Sequence, residues 1–147
     1  MNVRLRRWIL FLGWLLFTFY LCQQDGAGSA ALSRSLAEKL IDLLKDVIVV
    51  VDPIRFQYIL RKIAHVFVHL VLAFLCYRAI RTTATKTGIS IFLSLVVSIA
   101  FAIVDEAVQL ISAGRFATTT DAFFNLSGVL AGTILAISTF REPKTRP

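Results

Sequence analysis

Apolar residues fall into four long runs separated by shorter polar segments. The runs cover about residues 8–22, 63–80, 88–111 and 122–140, and their interiors carry few charges. A helix that crosses the hydrocarbon core of a bilayer needs about 20 mostly apolar residues, because each residue adds only about 1.5 Å. The pattern predicts an all-α membrane protein, a bundle of about four transmembrane helices that forms a single domain over residues 1–147.

The long segment between the first two runs has a different pattern. Leucine and valine recur at helical spacing, and charged residues fill the opposite face. Ser35 and Glu38 have the spacing of a capping box, and Asp52-Pro53 marks the end of the periodic stretch. We therefore predict an amphipathic interfacial helix on the outer side, over about 33–51. It either lies on the membrane surface or packs on the bundle as a lid, and periodicity permits both.

The composition agrees with a membrane protein. The chain is 57% hydrophobic and only 17% charged, with a mean hydropathy of +0.75, whereas soluble domains are about half apolar. The net charge is +7, but the basic residues bracket the apolar runs instead of covering one face, so we expect no nucleic-acid partner. Cys22 and Cys76 both lie in apolar runs, where we expect buried free thiols.

The distribution of Lys and Arg predicts the orientation. Nine of the sixteen basic residues fall on the side of the N-terminus: Arg4, Arg6, Arg7, Arg78, Arg81, Lys86, Arg141, Lys144 and Arg146. Short cytoplasmic segments are enriched in such residues, so we expect a multi-pass protein of the plasma (inner) membrane with cytoplasmic N- and C-termini. A cleaved signal peptide is the rival interpretation of the first run, but no clean cleavage site follows it closely.

Polar residues at the outer ends of the last three spans form the candidate ligand-binding site. Ionisable residues are costly inside a bilayer, so their presence there indicates function. The set comprises Arg61, Lys62, His65, Asp105, Glu106, Gln109, Arg115, Asp121 and Asn125. Singly, each has a structural explanation, such as a Glu106–Arg115 ion pair or an Asp121 helix cap. Their coincidence at one depth favours a site.

Helical spacing refines this site. Gln109 is four residues from Asp105 and three from Glu106, so it shares a face with each carboxylate. Asn125, Gly128 and Gly132 form one stripe on the last span. Two glycines four residues apart let a neighbouring helix approach closely, and we expect that approach to bring Asn125 toward the carboxylates.

These residues also carry a family resemblance. The stretch RKIAHVFVHLVLAFLCYRAI resembles the first half of the VanZ-like domain, and DEAVQLISAGRFATTTDAFFNLSGVLAG resembles the second half. The second half has the family's acidic residue, Gln, Gly-Arg turn, Asp, Asn and small residues, at Glu106, Gln109, Gly114-Arg115, Asp121, Asn125, Gly128 and Gly132. The outer segment CQQDGAGSAALSRS is similar as well, with matching positions at Gln24, Ser29 and Ser33. This chain departs from the family at His69, where other members often have Tyr.

The resemblance implies a bacterial envelope protein, from a family whose founding member is linked to resistance to the glycopeptide teicoplanin. We predict binding of membrane lipids and of a lipid-linked cell-wall precursor or glycopeptide. Arg61, Lys62 and Arg115 would face an anionic head group, helped by the dipole at the start of the second span. A homo-oligomer is also compatible with the sequence, because Gly128 and Gly132 would suit close contact between two copies of the chain.

The alternative function is an intramembrane enzyme that acts on a lipid-linked head group. Its candidate catalytic residues are Glu106, His65 and Asp121, which supply carboxylates and a titratable base. No nucleophile motif or phosphate-binding loop accompanies them. We assign no cofactor and no metal, although His65 and His69 share a face and, with Glu106, would make a minor metal hypothesis. A transporter is disfavoured because four short spans leave little room for a pathway.

Overall fold

The computed structural model describes residues 2–24, 26–44, 52–84, 86–111 and 119–140. These residues contain five helices and no strand. The helices are α1 (Val3–Cys22), α2 (Gly26–Leu44), α3 (Pro53–Ile80), α4 (Thr87–Ile111) and α5 (Thr119–Thr139). Among them, α1, α3, α4 and α5 are long and apolar enough to cross a membrane. The predicted four-span helical bundle is confirmed.

The second span begins ten residues before its predicted start at residue 63. Asp52 is the N-cap of α3, and its Oδ1 accepts a hydrogen bond of 2.9 Å from the backbone N–H of Ile54. Pro53 occupies the first helical position, where its missing N–H costs nothing and its fixed φ already suits a helix. Apolarity marked only the membrane-embedded part of α3, whereas these two residues fix its true start.

The predicted start of the amphipathic helix is also wrong. α2 begins at Gly26, so Ser35 and Glu38 lie inside the helix and do not cap it. The small residues of the intervening segment 27–31 continue the helix without a proline to interrupt it. Ser33 instead donates a side-chain hydrogen bond of 3.1 Å to the carbonyl of Ala30, within α2. Residues 45–51 of the prediction lie outside the described residues.

α3 is the central helix, and its most extensive contacts are with α5. Gly128 and Gly132 make this possible, because a Cβ on Gly128 would overlap the carbonyl oxygen of Val66 and one on Gly132 would overlap that of Leu70. The close approach that these glycines predicted is therefore made with α3. The neighbouring Asn125 still reaches the carboxylates of α4, from the same end of α5.

The interior reverses the arrangement of a water-soluble protein. Large apolar side chains such as Leu16, Phe92 and Ile134 are about two-thirds exposed. The buried positions of α4 are instead small or polar: Ser90, Ser94, Ser98, Ala102, Asp105 and Gln109. Helices in a bilayer pack through small residues and polar contacts while apolar side chains face lipid. The molecule is built as a membrane protein.

Arginines gather at the end of the bundle opposite the predicted site. The guanidinium carbons of Arg7 and Arg81 lie 5.3 and 5.5 Å from the centre of the Phe140 ring. The ring of Tyr77 meets Phe140 edge-on, with 6.1 Å between the centroids. Cation–π contacts of this kind hold the charges at the helix ends. Residues that were predicted to share one membrane face therefore do lie together.

Candidate functional site

The ends of α1 and α4 and the first halves of α3 and α5 meet at one end of the bundle. We call the group that they bring together the polar cluster, and it comprises His65, His69, Asp105, Glu106 and Asn125. Asn125 is fully buried, and Asp105 is 5% exposed. The predicted convergence of α3, α4 and α5 is therefore present in the structure, while Arg115 and its turn lie outside the described residues.

Asn125 connects the three helices of the polar cluster. Its Nδ2 donates a hydrogen bond of 2.8 Å to Glu106 Oε1 and a longer one of 3.5 Å to Asp105 Oδ2. Its Oδ1 lies 3.0 Å from Nδ1 of His65. One amide thus serves both carboxylates and one imidazole, as an amide group with two donor hydrogens and one acceptor oxygen can.

These bonds determine the tautomer of His65. Because the carboxylates accept from Nδ2, the amide oxygen of Asn125 must face the histidine. An oxygen of this kind only accepts, so Nδ1 of His65 carries the proton and donates it. In a neutral ring, Nε2 then keeps its lone pair. In this tautomer, Nε2 of His65 is the ring atom that could act as a base or as a metal ligand.

His69 is the residue that the sequence interpretation most undervalued. Its side chain is 1% exposed, and its ring approaches the backbone of His65, one turn earlier, without a hydrogen bond of ordinary geometry to either nitrogen among the described residues. Nε2 lies 3.8 Å from Asp105 Oδ2. Buried imidazoles normally satisfy their nitrogens, so an unpaired one facing a carboxylate is unusual. The signal was the spacing of four residues from His65.

Lys62 and Asp121 form an ion pair across α3 and α5. The ammonium group also lies 4.8 Å from the ring centre of Tyr58 and 5.8 Å from that of Phe124. α5 begins at Thr119, so Asp121 sits in the first turn and is not the helix cap that we had considered. These two predicted site residues hold the helices together beside the polar cluster.

A cavity of about 160 Å³ lies between α1, α2, α3 and α4. Four of the predicted residues line it: Arg61, His65, Asp105 and Gln109. His69 and the three family-matching positions Gln24, Ser29 and Ser33 line it as well. The remaining wall is mostly apolar and includes Leu21, Leu32, Leu36, Leu60 and Val68. The lining of the cavity is therefore polar in one part and mostly apolar in the rest.

One side of this cavity is closed by α2. Gln57 on α3 donates hydrogen bonds of 3.1 Å to the carbonyl of Ala30 and 2.8 Å to Ser33 Oγ. Ala37 of α2 is only 3% exposed. Of the two arrangements left open by periodicity, α2 has the one that packs on the bundle, although Leu32 and Leu36 stay half exposed.

Four polar residues of α3 form one stripe at intervals of four: Gln57, Arg61, His65 and His69. Gln57 was missed because α3 was predicted to start after it. The same early start moves the helix N-terminus about two turns away from Arg61. The dipole that we expected to assist phosphate binding falls off within the first turn, so it does not act at this site.

Three members of the polar cluster lie close enough together to be candidate metal ligands. One ligand atom each of His65, Asp105 and Glu106 lies within 4.8 Å of the others.

On the α1 side, the Sγ of Cys22 donates to the backbone carbonyl of Asp105 at 3.4 Å. Cys22 and Cys76 are both buried, and neither forms a disulfide, as expected.

Comparison with known proteins gives one match. The family model described as VanZ/LLP1 matches residues 7–141, which is nearly the whole chain. No curated protein and no solved structure matches. The match includes α2 to α5, all of α1 except its first four residues, and every residue of the polar cluster.

Proposed function

Because the chain belongs to the VanZ/LLP1 family, we propose that it binds the head-group end of a membrane amphiphile. The occupant would be a lipid-linked cell-wall precursor or a lipid-tailed glycopeptide such as teicoplanin. The observation that carries the proposal is the cavity between α1 and α4, which offers apolar and polar walls to one ligand. Sites for such ligands combine apolar linings with a few placed polar groups.

The two kinds of wall suit the two parts of an amphiphile. Arg61 would meet an anionic phosphate, since guanidinium binds phosphate with several donors. Gln109 and Asp105 would hydrogen-bond sugar or peptide groups next to it. The apolar side, which includes Leu32 and Leu36, would follow the first part of the lipid tail.

The volume of the cavity limits what enters. A cavity of about 150 Å³ accommodates a molecule of about the size of benzene, and this one measures about 160 Å³. A phosphate and its nearest neighbours fit this space, whereas a whole lipid does not. The tail would remain in the bilayer, and recognition would act on the group where head and tail join.

Binding by the purified protein tests this proposal. The chain would be reconstituted in nanodiscs, and its affinity for a lipid-linked precursor and for teicoplanin would be measured separately. We expect Arg61→Ala and Gln109→Leu each to weaken binding roughly tenfold, because each removes about one hydrogen bond to a polar or charged group. The affinity of Arg115→Ala for both ligands would be measured in the same series of variants.

Arg34→Ala is the matched control, because Arg34 is an exposed arginine of α2 that does not line the cavity. Its affinity for either ligand should equal that of the unaltered protein. Binding that is absent for both ligands, or that Arg61→Ala and Gln109→Leu leave unchanged, would contradict the proposal.

A second candidate function is catalysis on a lipid-linked head group. The observation that favours it is the linked set of His65, Asn125 and Glu106, in which His65 is oriented by the amide and keeps Nε2 free. A base held in this way can take a proton from a water or hydroxyl group in the cavity.

Turnover distinguishes this second candidate from binding alone. Purified protein would be supplied with polyprenyl phosphates and phospholipids, and product formation would be followed. Catalysis predicts turnover that His65→Ala or Glu106→Gln abolishes while substrate still binds. Binding without turnover of any of these lipids would count against an enzyme.

A further inference from the structure

We propose that the polar cluster is a binding site for one divalent transition-metal ion of the Zn²⁺ type. The ligands would be His65 from α3 with Asp105 and Glu106 from α4, and His69 would complete the set. This inference goes beyond the binding of an amphiphile, because the cluster would hold the ion in the absence of any lipid.

The proposed ligand atoms are near one another but would have to move closer together to coordinate an ion. Ligand atoms around tetrahedral Zn²⁺ are about 3.3 Å apart, given metal–ligand bonds of about 2.0 Å. Here, ligand atoms of His65, Asp105 and Glu106 lie within 4.8 Å of one another, and His69 Nε2 is 3.8 Å from Asp105 Oδ2. To bind an ion, the most distant of these atoms would have to approach one another by about 1.5 Å, the difference between 4.8 Å and about 3.3 Å.

Asn125 supplies the supporting bond that metal-binding histidines usually have. A histidine ligand typically donates its other ring N–H to a carbonyl or carboxylate oxygen, which fixes its tautomer and orientation. His65 Nδ1 makes this bond to Asn125 Oδ1 at 3.0 Å. The same amide holds Glu106 Oε1 at 2.8 Å, so both ligands are oriented before any ion arrives.

Unpaired atoms in the polar cluster are the independent observation that points to an ion. Nε2 of His69, which is 1% exposed, lies 3.8 Å from Asp105 Oδ2, too far for a hydrogen bond, and the buried Oε2 of Glu106 has no hydrogen bond among the described residues. Leaving such atoms unpaired is expensive. An ion bound between them would give His69 and Glu106 the partner that the described residues do not provide.

Charge favours a cation in the same place. Asp105 and Glu106 are adjacent acidic residues in a membrane span, and the nearest lysine, Lys62, is paired with Asp121. Two adjacent carboxylates are costly at this depth, and a bound cation would offset part of that cost. Because the donor set mixes imidazole with carboxylate, it suits Zn²⁺ better than Mg²⁺ or Ca²⁺, which prefer oxygen ligands alone.

Direct metal binding tests the inference. Full-length protein in detergent would be purified without a histidine tag, since the chain has only two histidines, and then stripped with a chelator. Titration with Zn²⁺ should show one ion bound per chain. Co²⁺ in its place should give the absorption bands of a tetrahedral site, and both signals should disappear in His65→Ala and Glu106→Gln.

Two further variants keep the test informative if a ligand variant fails to fold. Asn125→Ala retains all the proposed ligands and should weaken Zn²⁺ binding roughly 10- to 100-fold, the usual effect of losing a supporting bond. Glu38→Gln removes an exposed carboxylate of α2 and should leave Zn²⁺ affinity unchanged. Equal losses in both variants would indicate adventitious surface binding and overturn the inference.

The outcome is separable from that of the proposed function. Arg61→Ala should weaken binding of the amphiphile while one Zn²⁺ still binds per chain, because Arg61 lines the cavity but is not a ligand. A protein that binds the amphiphile but fails to bind stoichiometric Zn²⁺ would overturn the metal site and leave the proposed function standing.

Discussion

At the scale of single residues, the polar cluster depends on one amide. Asn125 is fully buried and is the hydrogen-bonded link between α3, α4 and α5 at this end of the bundle. A buried polar group that loses its partner bears its full desolvation cost. Asn125 is therefore a structural residue as well as a member of the candidate site.

Asn125→Leu keeps a similar volume but removes both donors and the acceptor. Glu106 and His65 would lose their hydrogen bonds in the interior, so we expect the free energy of unfolding to fall by about 1–3 kcal/mol. Denaturant or thermal unfolding in detergent micelles measures the change. Ser138→Ala, at an exposed position of the same helix, should have little effect. An equally small effect of Asn125→Leu would contradict this role.

The sequence predicted the donors and acceptors of the cluster better than their pairing. Glu106, His65 and Asn125 stood out because polar residues are rare in apolar runs. The ion pair between Lys62 and Asp121 was not predictable. Two side chains can pair only if they lie at the same depth, and that depth depends on where each helix begins. The importance of His69 was underestimated. The spacing of four residues places it beside His65, but spacing does not show which hydrogen-bond partners its ring nitrogens have.

At the scale of elements, the contact between α3 and α5 rests on glycine. Gly128→Ala would place a methyl group against the carbonyl oxygen of Val66, and the helices would have to separate. Overpacking of this kind costs about 1–3 kcal/mol. We expect a lower unfolding temperature in micelles and weaker binding of amphiphile or metal, because Asn125 would move away from α3.

Two other glycines provide the control for this prediction. A Cβ at Gly13 of α1 or Gly88 of α4 meets nothing within 4 Å. Gly13→Ala and Gly88→Ala should therefore be neutral or stabilising, since alanine favours the helix by up to about 1 kcal/mol. A Gly128→Ala variant as stable as these two would show that the contact tolerates a side chain.

Helix boundaries were the weakest part of the sequence prediction. The apolar runs located all four spans because the bilayer demands a minimum length of apolar chain. The runs underestimated the length of α3. Its first ten residues contain charges and are nevertheless helical, because Asp52 caps the start of the helix. The start of α2 was misplaced for a related reason, because a capping-box spacing at Ser35 also occurs by chance inside a helix.

At the scale of the whole molecule, both ends of the bundle carry charge but in different ways. One end gathers arginines around Phe140, and the other encloses the cavity and the polar cluster. The excess of basic residues at the Phe140 end favours a cytoplasmic location for it. The cavity would then open toward the outer leaflet.

Site-directed labelling tests this orientation. Cys22 and Cys76 are buried and should remain unlabelled, which leaves a single introduced thiol as the reporter. Glu38→Cys, on an exposed position of α2, should react with a membrane-impermeant maleimide in intact cells. Lys86→Cys, between α3 and α4, should react only after the membrane is permeabilised. The reverse pattern would show that the cavity faces the cytoplasm.

The placement of both histidines on one stripe of α3 gives the molecule a natural spectroscopic reporter. No other imidazole exists in the chain, so ¹⁵N-histidine labelling would give nuclear magnetic resonance signals from the cavity alone. The two rings differ in environment, because His65 is hydrogen-bonded to Asn125 through Nδ1 whereas His69 is almost completely buried and faces Asp105. Any molecule or ion that reaches this part of the protein would therefore be detectable, residue by residue, in a chain without a single substitution.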